Sequence, residues 1–559
     1  MIHFLLRRIT RCVLWTIDAL GRWTGRYRPY NTLQLELTGS LAEDGVFGFL
    51  PFRRTAAPDL LAFTSLLRWA REDDQIKAVV LTIDDLDMGW ARLQSLRRSL
   101  LALRQAGKYI LVYLSEAGTQ EYYLASAANV IALAPAGQLT VTGLATETLF
   151  FKGALDKLGI EAQVSQAGQY KSAGEPFTRT SLSEPHREMM NSLLDDLYDQ
   201  IVEAIASSRN TEKTVVRELI DRGLFLSQEA QEAGLIDHIG YEDEIPTWLE
   251  EHVGQAGSVE MIEAGQYQRR HGRLIRRHAL KHAPFRIALM TVGGTIIRGE
   301  SVTGRDGIHS TGSTSFIRDL KQVREDPSVA GIIVRVTSPG GSGLASDLVW
   351  HELLQTREEK PVIISMGDVA ASGGYYVALA GNTVFAEEGT ITGSIGVIAG
   401  KAVLQGLYAQ LGLEKEILTR GKRAALFSDY LAFGPTEQER VNVEIQSFYR
   451  DFVEKVAQCR SLSYEIVDAC AQGRVWSGRQ ALARGLVDAI GGLEEAIAEV
   501  KRQVGVPDNW PVGIERFPKP SSLLHLPTIL HLLPGGNRAT RPWERDRVWA
   551  IMPFSLHFL

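Results

Sequence analysis

The sequence has little of what marks several classes of protein. Three cysteines among 559 residues cannot build a disulfide framework, and none has the spacing of a metal site. The net charge is −6, and no long run of Lys or Arg points to a nucleic-acid partner. We therefore expect chemistry from ordinary side chains, with no cofactor and no metal ion.

Long apolar runs are also absent at the N-terminus. Residues 1–28 contain nothing near the roughly 18–20 apolar residues needed to span a bilayer, and Arg7, Arg8 and Arg11 interrupt the stretch. The apolar residues nevertheless recur at helical spacing on one side. This pattern predicts an amphipathic helix that lies on a membrane surface, where the arginines favour anionic lipid. The alternative is a helix docked on the protein's own core.

Two other stretches differ from the rest of the chain. Residues 256–284 hold a basic run, RRHGRLIRRHALKHAP, which we interpret as a solvated linker. Residues 506–559 are rich in proline and apolar residues, and their prolines break any long helix. This tail could be a second membrane contact, an oligomer contact or an extension, and the sequence does not choose among these.

Between these stretches the chain repeats itself. RED-DQIKAVVLTIDD from Arg71 matches RED-PSVAGIIVRVTS from Arg324, and the same shift of 253 residues carries LGIE at Leu158 onto LGLE at Leu411. In each copy, short runs rich in Val and Ile alternate with amphipathic stretches. We predict two α/β repeats, 29–255 and 285–505, each built from βαβ units around a mainly parallel sheet.

The second repeat contains glycine-rich turns that the first lacks. Ser338-Pro339-Gly340-Gly341 follows a predicted strand, where the first repeat has Asp85-Leu86-Asp87-Met88. Glycines at a strand end let backbone N–H groups approach a ligand, as an oxyanion hole requires. Gly340 or Gly341 is therefore a candidate donor, although a tight turn alone would have the same pattern.

A second such turn surrounds a serine. Ser372 lies within AASGGYY, at a predicted junction between strand and helix, and the first repeat has Thr119 in its place. This setting presents a hydroxyl near helix N–H groups, which stabilise developing negative charge. Ser372 is the candidate nucleophile, and the N–H of Gly373 is the candidate partner of Gly340 or Gly341 in the oxyanion hole.

A serine nucleophile needs a base. His309 and His351 are the nearest histidines in sequence, and neither lies in a special context. Lys171, in GQYKSA of the first repeat, aligns with Ala424 of the second, so the lysine and the serine occur in different copies. Lys171 is the candidate general base, and Lys422 remains a rival.

Taken together, SPGG, AASGGYY, TITGSIGV at 390–397 and GQYKSAGEPF resemble signal peptide peptidase A in its long, duplicated form. This resemblance implies tandem repeats of a Clp protease/crotonase-like domain. It also implies a base from the first repeat (Lys171), a nucleophile from the second (Ser372) and an accessory hydroxyl that orients the lysine (Ser394).

The same resemblance implies apolar peptide substrates, such as cleaved signal peptides, and a homo-oligomer, a tetramer in the family. It further implies membrane association on the periplasmic side. The arginine-interrupted N-terminus departs from the spanning anchor of the enterobacterial members, which leaves the cytoplasmic side open. The alternatives are a crotonase-like acyl-CoA enzyme, because similar turns form oxyanion holes there, and an inactive membrane scaffold.

Overall fold

A computed structural model describes residues 30–43, 59–253, 258–270, 285–303, 309–507, 510, 512–518 and 548–552. The predicted helix at residues 1–28 lies outside these ranges, as do large parts of the predicted linker and tail. Across the described ranges, no helix has both the length and the apolar character required to cross a membrane.

The strands and helices alternate along both repeats. Strands up to residue 263 are β1 (Thr32–Gly39), β2 (Ala78–Leu86), β3 (Tyr109–Leu114), β4 (Val130–Leu133), β5 (Gln138–Thr140), β6 (Glu161–Ala167), β7 (Leu224–Leu226), β8 (His238–Ile239) and β9 (Met261–Glu263). Helices in the same part are α1 (Leu60–Glu72), α2 (Trp90–Gln105), α3 (Thr119–Ala125), α4 (Lys152–Lys157), α5 (Glu175–Thr178), α6 (Glu184–Arg209), α7 (Lys213–Arg222), α8 (Ser227–Glu232) and α9 (Ile245–Val253).

The second half begins again with a strand. Its strands are β10 (Arg286–Gly293), β11 (Thr295–Ile297), β12 (Val302–Thr303), β13 (His309–Gly312), β14 (Val329–Ser338), β15 (Gly340–Ser342), β16 (Val362–Ala371), β17 (Thr383–Ala386), β18 (Ile391–Gly393), β19 (Val397–Val403), β20 (Val475–Ser477), β21 (Ala489–Ile490), β22 (Gly513–Phe517) and β23 (Trp549–Ile551). Its helices are α10 (Ser313–Glu325), α11 (Gly343–Arg357), α12 (Gly373–Ala378), α13 (Gln405–Gln410), α14 (Pro435–Arg460), α15 (Tyr464–Cys470), α16 (Gly478–Ala483) and α17 (Leu493–Gln503).

Both repeats build the same parallel sheet. In the first, the strand order is β8-β4-β3-β2-β1-β9, and every neighbouring pair is parallel. In the second, β21-β17-β16-β14-β10-β22 follow the same order, again with parallel neighbours. The α/β class and the tandem repeat are therefore confirmed, whereas the exact domain boundaries stay predictions.

The central strands of each sheet are apolar at nearly every position because both faces of the sheet are buried. Successive residues of β2 contribute to different apolar clusters, because side chains alternate across a strand. Val79 and Leu81 belong to the larger cluster of the first repeat, and Val80 belongs to the smaller cluster on the other face. The run KAVVLTI therefore reads as unbroken hydrophobicity in the sequence.

Each repeat has an equivalent side-chain hydrogen bond at the start of the strand β3 or β16. The Asn129 side-chain oxygen accepts from the backbone N–H of Ile110 at 3.0 Å. Its counterpart Asn382 accepts from Val362 at 2.8 Å. These asparagines are 253 residues apart in the sequence, so the sequence shift corresponds to equal places in the fold.

One strand pair crosses between the repeats. β6 of the first repeat pairs antiparallel with β19 of the second along its whole length, from Ala167 opposite Val397 to Glu161 opposite Val403. The pair extends a seven-stranded sheet with the order β12-β13-β11-β15-β23-β19-β6. This pairing brings the end of β6 next to the start of β19. Lys171 lies shortly after β6 and Ser394 lies shortly before β19, so the pairing brings these two residues close together.

A buried ion pair also joins the repeats. The Arg335 guanidinium in β14 is almost fully buried and lies 2.9 Å from a carboxylate oxygen of Glu43, just after β1. A second bond from the same guanidinium reaches the backbone oxygen of Met366 at 2.7 Å. Buried charges need such partners, so this contact favours one relative position of the two repeats.

Candidate active site

Ser372 occupies the sharp junction between β16 and α12. Its φ is +55° and its ψ is −112°, a strained conformation for a residue with a side chain. Its backbone N–H donates to the Gly393 oxygen at 2.8 Å, and the residue is fully buried. The strand-to-helix turn predicted from AASGGYY is therefore present, in the geometry typical of a nucleophile elbow.

The Lys171 amine lies against this serine. Nζ is 2.7 Å from Ser372 Oγ, 2.9 Å from the backbone oxygen of Ser394 and 2.9 Å from Ser394 Oγ. All three residues are fully buried and belong to one chain. The three side chains singled out from two distant parts of the sequence thus meet within hydrogen-bond reach.

The surroundings of Lys171 disfavour its charged form. The side chain is fully buried, and burial lowers the pKa of its amine well below the ordinary value. Its described partners are hydroxyl and carbonyl oxygens rather than a carboxylate. A neutral amine in hydrogen-bond contact with a hydroxyl can accept that hydroxyl's proton.

The second repeat also holds the backbone of Lys171 in place. The Tyr170 N–H donates to the Gln472 oxygen at 2.8 Å. Gly473 has φ +77°, and a Cβ there would lie 2.6 Å from the Lys171 Cβ. Sequence reasoning missed Gly473 as a positioning residue, because its close contact with Lys171 arises only in the folded chain.

The two candidate oxyanion glycines differ in the structure. Gly340 and Gly341 begin the short strand β15, immediately after Pro339. The Gly340 N–H donates to Ser338 Oγ at 3.1 Å, so this donor is already used. The oxyanion hole itself stays a prediction, with Gly341 as the candidate whose N–H is not bonded to Ser338 and with Gly373 at the start of α12.

The first repeat fills the equivalent place with its own side chains. Met88, the counterpart of Gly341, donates its N–H to the side-chain oxygen of Gln120 at 3.4 Å. Gln120 stands where Gly373 stands in the second repeat. The next residue, Glu121, is buried and accepts from the Leu86 N–H at 2.6 Å. The backbone N–H groups of Leu86 and Met88 are thus bonded to side chains of the first repeat.

The rival bases lie elsewhere. Lys422 is exposed in a turn, whereas Ser372 is fully buried. Ala424, in the same turn, is exposed too. His351 is exposed on α11, and His309 Nδ1 lies 3.3 Å from Thr303 Oγ1.

Within the described ranges, no group of three or more His, Cys, Asp or Glu side chains could hold a metal ion. Cys459 and Cys470 are half-buried free thiols, and Cys12 lies outside the described residues. The candidate site thus consists of hydroxyls, one amine and backbone N–H groups.

Comparison with known proteins identifies the family of the chain. Residues 102–256 and 355–507 each match the model of peptidase family S49. This chain belongs to peptidase family S49. The double match also confirms that the family domain occurs twice, and the predicted resemblance to the duplicated signal peptide peptidases is confirmed with it.

Relatives in family S49 extend over most of the chain. The serine protease SPPA, chloroplastic, of Arabidopsis thaliana is 36% identical over 506 residues, covering 90% of this chain and 73% of that protein. Protease 4 of Haemophilus influenzae is 31% identical over 455 residues, covering 78% of this chain and 72% of that protein. ClpP1 from Listeria monocytogenes, a solved structure, is 14% identical with a TM-score of 0.23 and covers 40% of this chain and 95% of that one.

Family membership favours one of the three functions that the sequence left open. The chain is a serine peptidase by family, which favours this function over a crotonase-like acyl-CoA enzyme. The roles of individual residues are a separate matter, and they rest on the geometry of Ser372, Lys171 and Ser394.

Proposed function

We propose that this S49 peptidase hydrolyses peptides with a Ser372–Lys171 dyad that spans its two repeats. The observation that carries this proposal is the 2.7 Å contact between Lys171 Nζ and Ser372 Oγ in a fully buried setting. In the proposed reaction, the neutral Lys171 amine takes the hydroxyl proton while Ser372 Oγ attacks a peptide carbonyl carbon.

The remaining steps follow from the balance of protons and bonds. As the C–N bond breaks, the Lys171 ammonium gives its proton to the leaving amine, and an acyl ester remains on Ser372. Water then attacks the ester with Lys171 again as base, which releases the acid and restores the hydroxyl. Ser394 accepts from and orients the amine through contacts at 2.9 Å.

Negative charge on the attacked oxygen needs nearby donors. The N–H groups of Gly341 and Gly373 are the donors we assign to this oxyanion hole, since the Gly340 N–H is bonded to Ser338. Each such donor is typically worth about 10²–10³ in rate. Gly373 begins α12, and the first N–H groups of a helix have no partner within it.

The substrates that we propose are apolar peptides such as cleaved signal peptides, as the resemblance to signal peptide peptidase A implies. The amphipathic pattern of residues 1–28 supports work at a membrane surface. The side of the membrane stays a prediction, with the periplasmic side implied by the family and the cytoplasmic side as the alternative.

The pH dependence of hydrolysis tests the base. Because burial lowers the pKa of Lys171 well below the ordinary value of a lysine, about 10.4, the neutral amine should already be populated well below pH 10. We expect kcat/KM to rise roughly tenfold per pH unit below this pKa and then level off. Measurement on an apolar fluorogenic peptide between pH 5 and pH 10 checks this. Maximal activity already at pH 5 would argue against an amine base.

We also propose a homo-oligomer. Its support comes from the two segments that are equivalent to β6 and β19 in the opposite repeats, because neither segment is paired as a strand in the described residues. The shift of 253 residues places 414–420 opposite β6 and 144–150 opposite β19, yet neither segment forms a strand within the described residues. Both are open to solvent, with Leu418 86% and Leu149 70% exposed. Pairing 414–420 of one copy with 144–150 of the next would repeat the β6–β19 contact.

Such a contact joins two different surfaces, so it closes into a ring when the rotation per chain allows. We propose four chains in that ring, the number that the family resemblance implies. We expect Leu418→Asp to convert the oligomer to single chains, because a charge would replace an apolar side chain in the joint. Light scattering after size exclusion measures this, with Leu482→Asp, at another exposed leucine on α16, as the control. An unchanged mass for Leu418→Asp would refute this interface.

A further inference from the structure

The C-terminal strand β23 lies inside the candidate active site. It pairs antiparallel with β15, which carries Gly340 and Gly341, and with β19, through Trp549 opposite Ile398. In the seven-stranded sheet, β23 is the only element between β15 and β19 in the part of the chain that the structure describes. Residues 549–551 of the same chain therefore fill a strand-wide slot between two strands of the site.

The register of β23 identifies the residue nearest the oxyanion hole. Met552 donates its N–H to the Pro339 oxygen at 2.7 Å, and Gly343 donates to the Val548 oxygen at 3.2 Å. Between these bonds, Gly341 lies opposite Ala550. Hydrogen-bonded pairs recur every second residue in an antiparallel ladder, so the Gly341 N–H points at the Ala550 carbonyl.

The Ala550 carbonyl also lies beside Gly373. A Cβ on Gly340 would be 2.8 Å from the Gly373 nitrogen and 3.0 Å from the Ala550 carbonyl carbon. A Cβ on Gly373 would be 3.1 Å from the Ala550 oxygen. One carbonyl oxygen thus approaches both glycines that we assign to the oxyanion hole, which is the position of a substrate's attacked carbonyl.

The slot suits an extended peptide. Binding by strand addition supplies backbone hydrogen bonds from both flanking strands, and side chains determine specificity. The occupant, Val548-Trp549-Ala550-Ile551-Met552, has no charged residue. Ala550 is fully buried, and Met552 is nearly so. The chemistry of this segment matches the apolar peptides that we propose as substrates.

We propose that residues 548–552 are a built-in competitive inhibitor, bound as a strand in the substrate slot with Ala550 where the attacked residue of a substrate lies. This proposal rests on the proposed function of the site. Substrates must displace the segment. The apparent affinity for substrate therefore equals the affinity of the empty slot multiplied by the fraction of molecules in which the slot is empty. The slot accordingly favours apolar substrates with a small residue at the attacked position.

A substitution in the segment tests this inhibition in the full chain. Ala550→Trp places a bulky side chain at a fully buried position, which should expel the strand. We expect kcat/KM for an apolar peptide to rise about tenfold, mainly through a lower KM, whereas Ala550→Gly stays within about threefold of the unsubstituted chain. Equal kcat/KM for Ala550→Trp and the unsubstituted chain, with both folded by circular dichroism, would overturn the proposal.

Direct binding separates this proposal from the assignment of the nucleophile. The probe is a fluorescent synthetic peptide of residues 546–552, and the proteins are full chains with Ser372→Ala alone or with Ser372→Ala and Ala550→Trp. Fluorescence anisotropy should show at least tenfold tighter binding to the double variant, and a probe with Trp in place of Ala550 should bind neither. Equal affinity for both chains, or no binding to either, would refute the inhibitor. Persistent hydrolysis in Ser372→Ala would refute the dyad and leave this binding result intact.

Discussion

Ser372→Ala is expected to lower kcat/KM for an apolar peptide by about 10⁴-fold or more. Removing the nucleophile of a serine peptidase eliminates the acyl-enzyme route, and the residual rate then comes from the oxyanion hole and binding alone. The measurement is hydrolysis of a fluorogenic peptide at the pH where the unsubstituted chain is most active.

The fold should survive this change. Ser372 Oγ contacts Lys171 and, at 3.4 Å, the Gly396 oxygen, so alanine removes two contacts and leaves no large cavity. Ser346→Ala is a matched control, because its hydroxyl is also fully buried near Gly373 but bonds within α11 and its cap. If Ser346→Ala lost as much hydrolysis as Ser372→Ala, any small change near the site would abolish activity. The result for Ser372→Ala would then no longer support Ser372 as the nucleophile.

Lys171→Met is expected to lower kcat/KM by about 10³–10⁴-fold, because a general base typically contributes about 10²–10⁴ and this one also positions the serine. Methionine keeps the length of the buried side chain and removes the amine. The matched control is Lys422→Met, which changes an exposed lysine in a turn and should retain full activity. The opposite pattern would assign the base to Lys422.

The same variant separates catalytic loss from unfolding. Since burial lowers the pKa of Lys171 in the folded chain, the unfolded chain binds more protons between that pKa and about 10.4. Stability of the unsubstituted chain therefore rises with pH across this window, with a slope of about 1.4 kcal/mol per unit. Lys171→Met lacks this cost, so it should melt at or above the unsubstituted chain at pH 7, and the gap should narrow towards pH 10. A lower melting temperature at pH 7 would indicate a packing defect instead.

Much of this fold was accessible from the sequence because local pattern and repetition agree. Runs such as KAVVLTI predict buried parallel strands, and two copies of the pattern predict two equal sheets. The pairing of β6 with β19 was not accessible. Strand pairing between repeats depends on register and on which edges meet, and no short-range signal in Glu161–Ala167 specifies a partner 236 positions further along the chain.

Some residues of the candidate site were predictable from the sequence and others were not. Comparison of the copies singled out Ser372 and Lys171, because each has lost its counterpart in the other copy, as Thr119 and Ala424. Whether Lys171 or Lys422 faces the serine depends on burial, which only the assembled fold determines. Gly473 and Ala550 were missed because each acts through a distant backbone contact rather than through its own side chain.

In the proposed mechanism, a buried lysine of one repeat activates a serine of the other. Labelling by a fluorophosphonate, with the adduct located by mass spectrometry, tests it most directly. We expect one adduct, on Ser372, formed about 10²-fold more slowly in Lys171→Met and at an unchanged rate in Lys422→Met. An adduct on another serine, or equal labelling of Ser372 with and without the Lys171 amine, would contradict it.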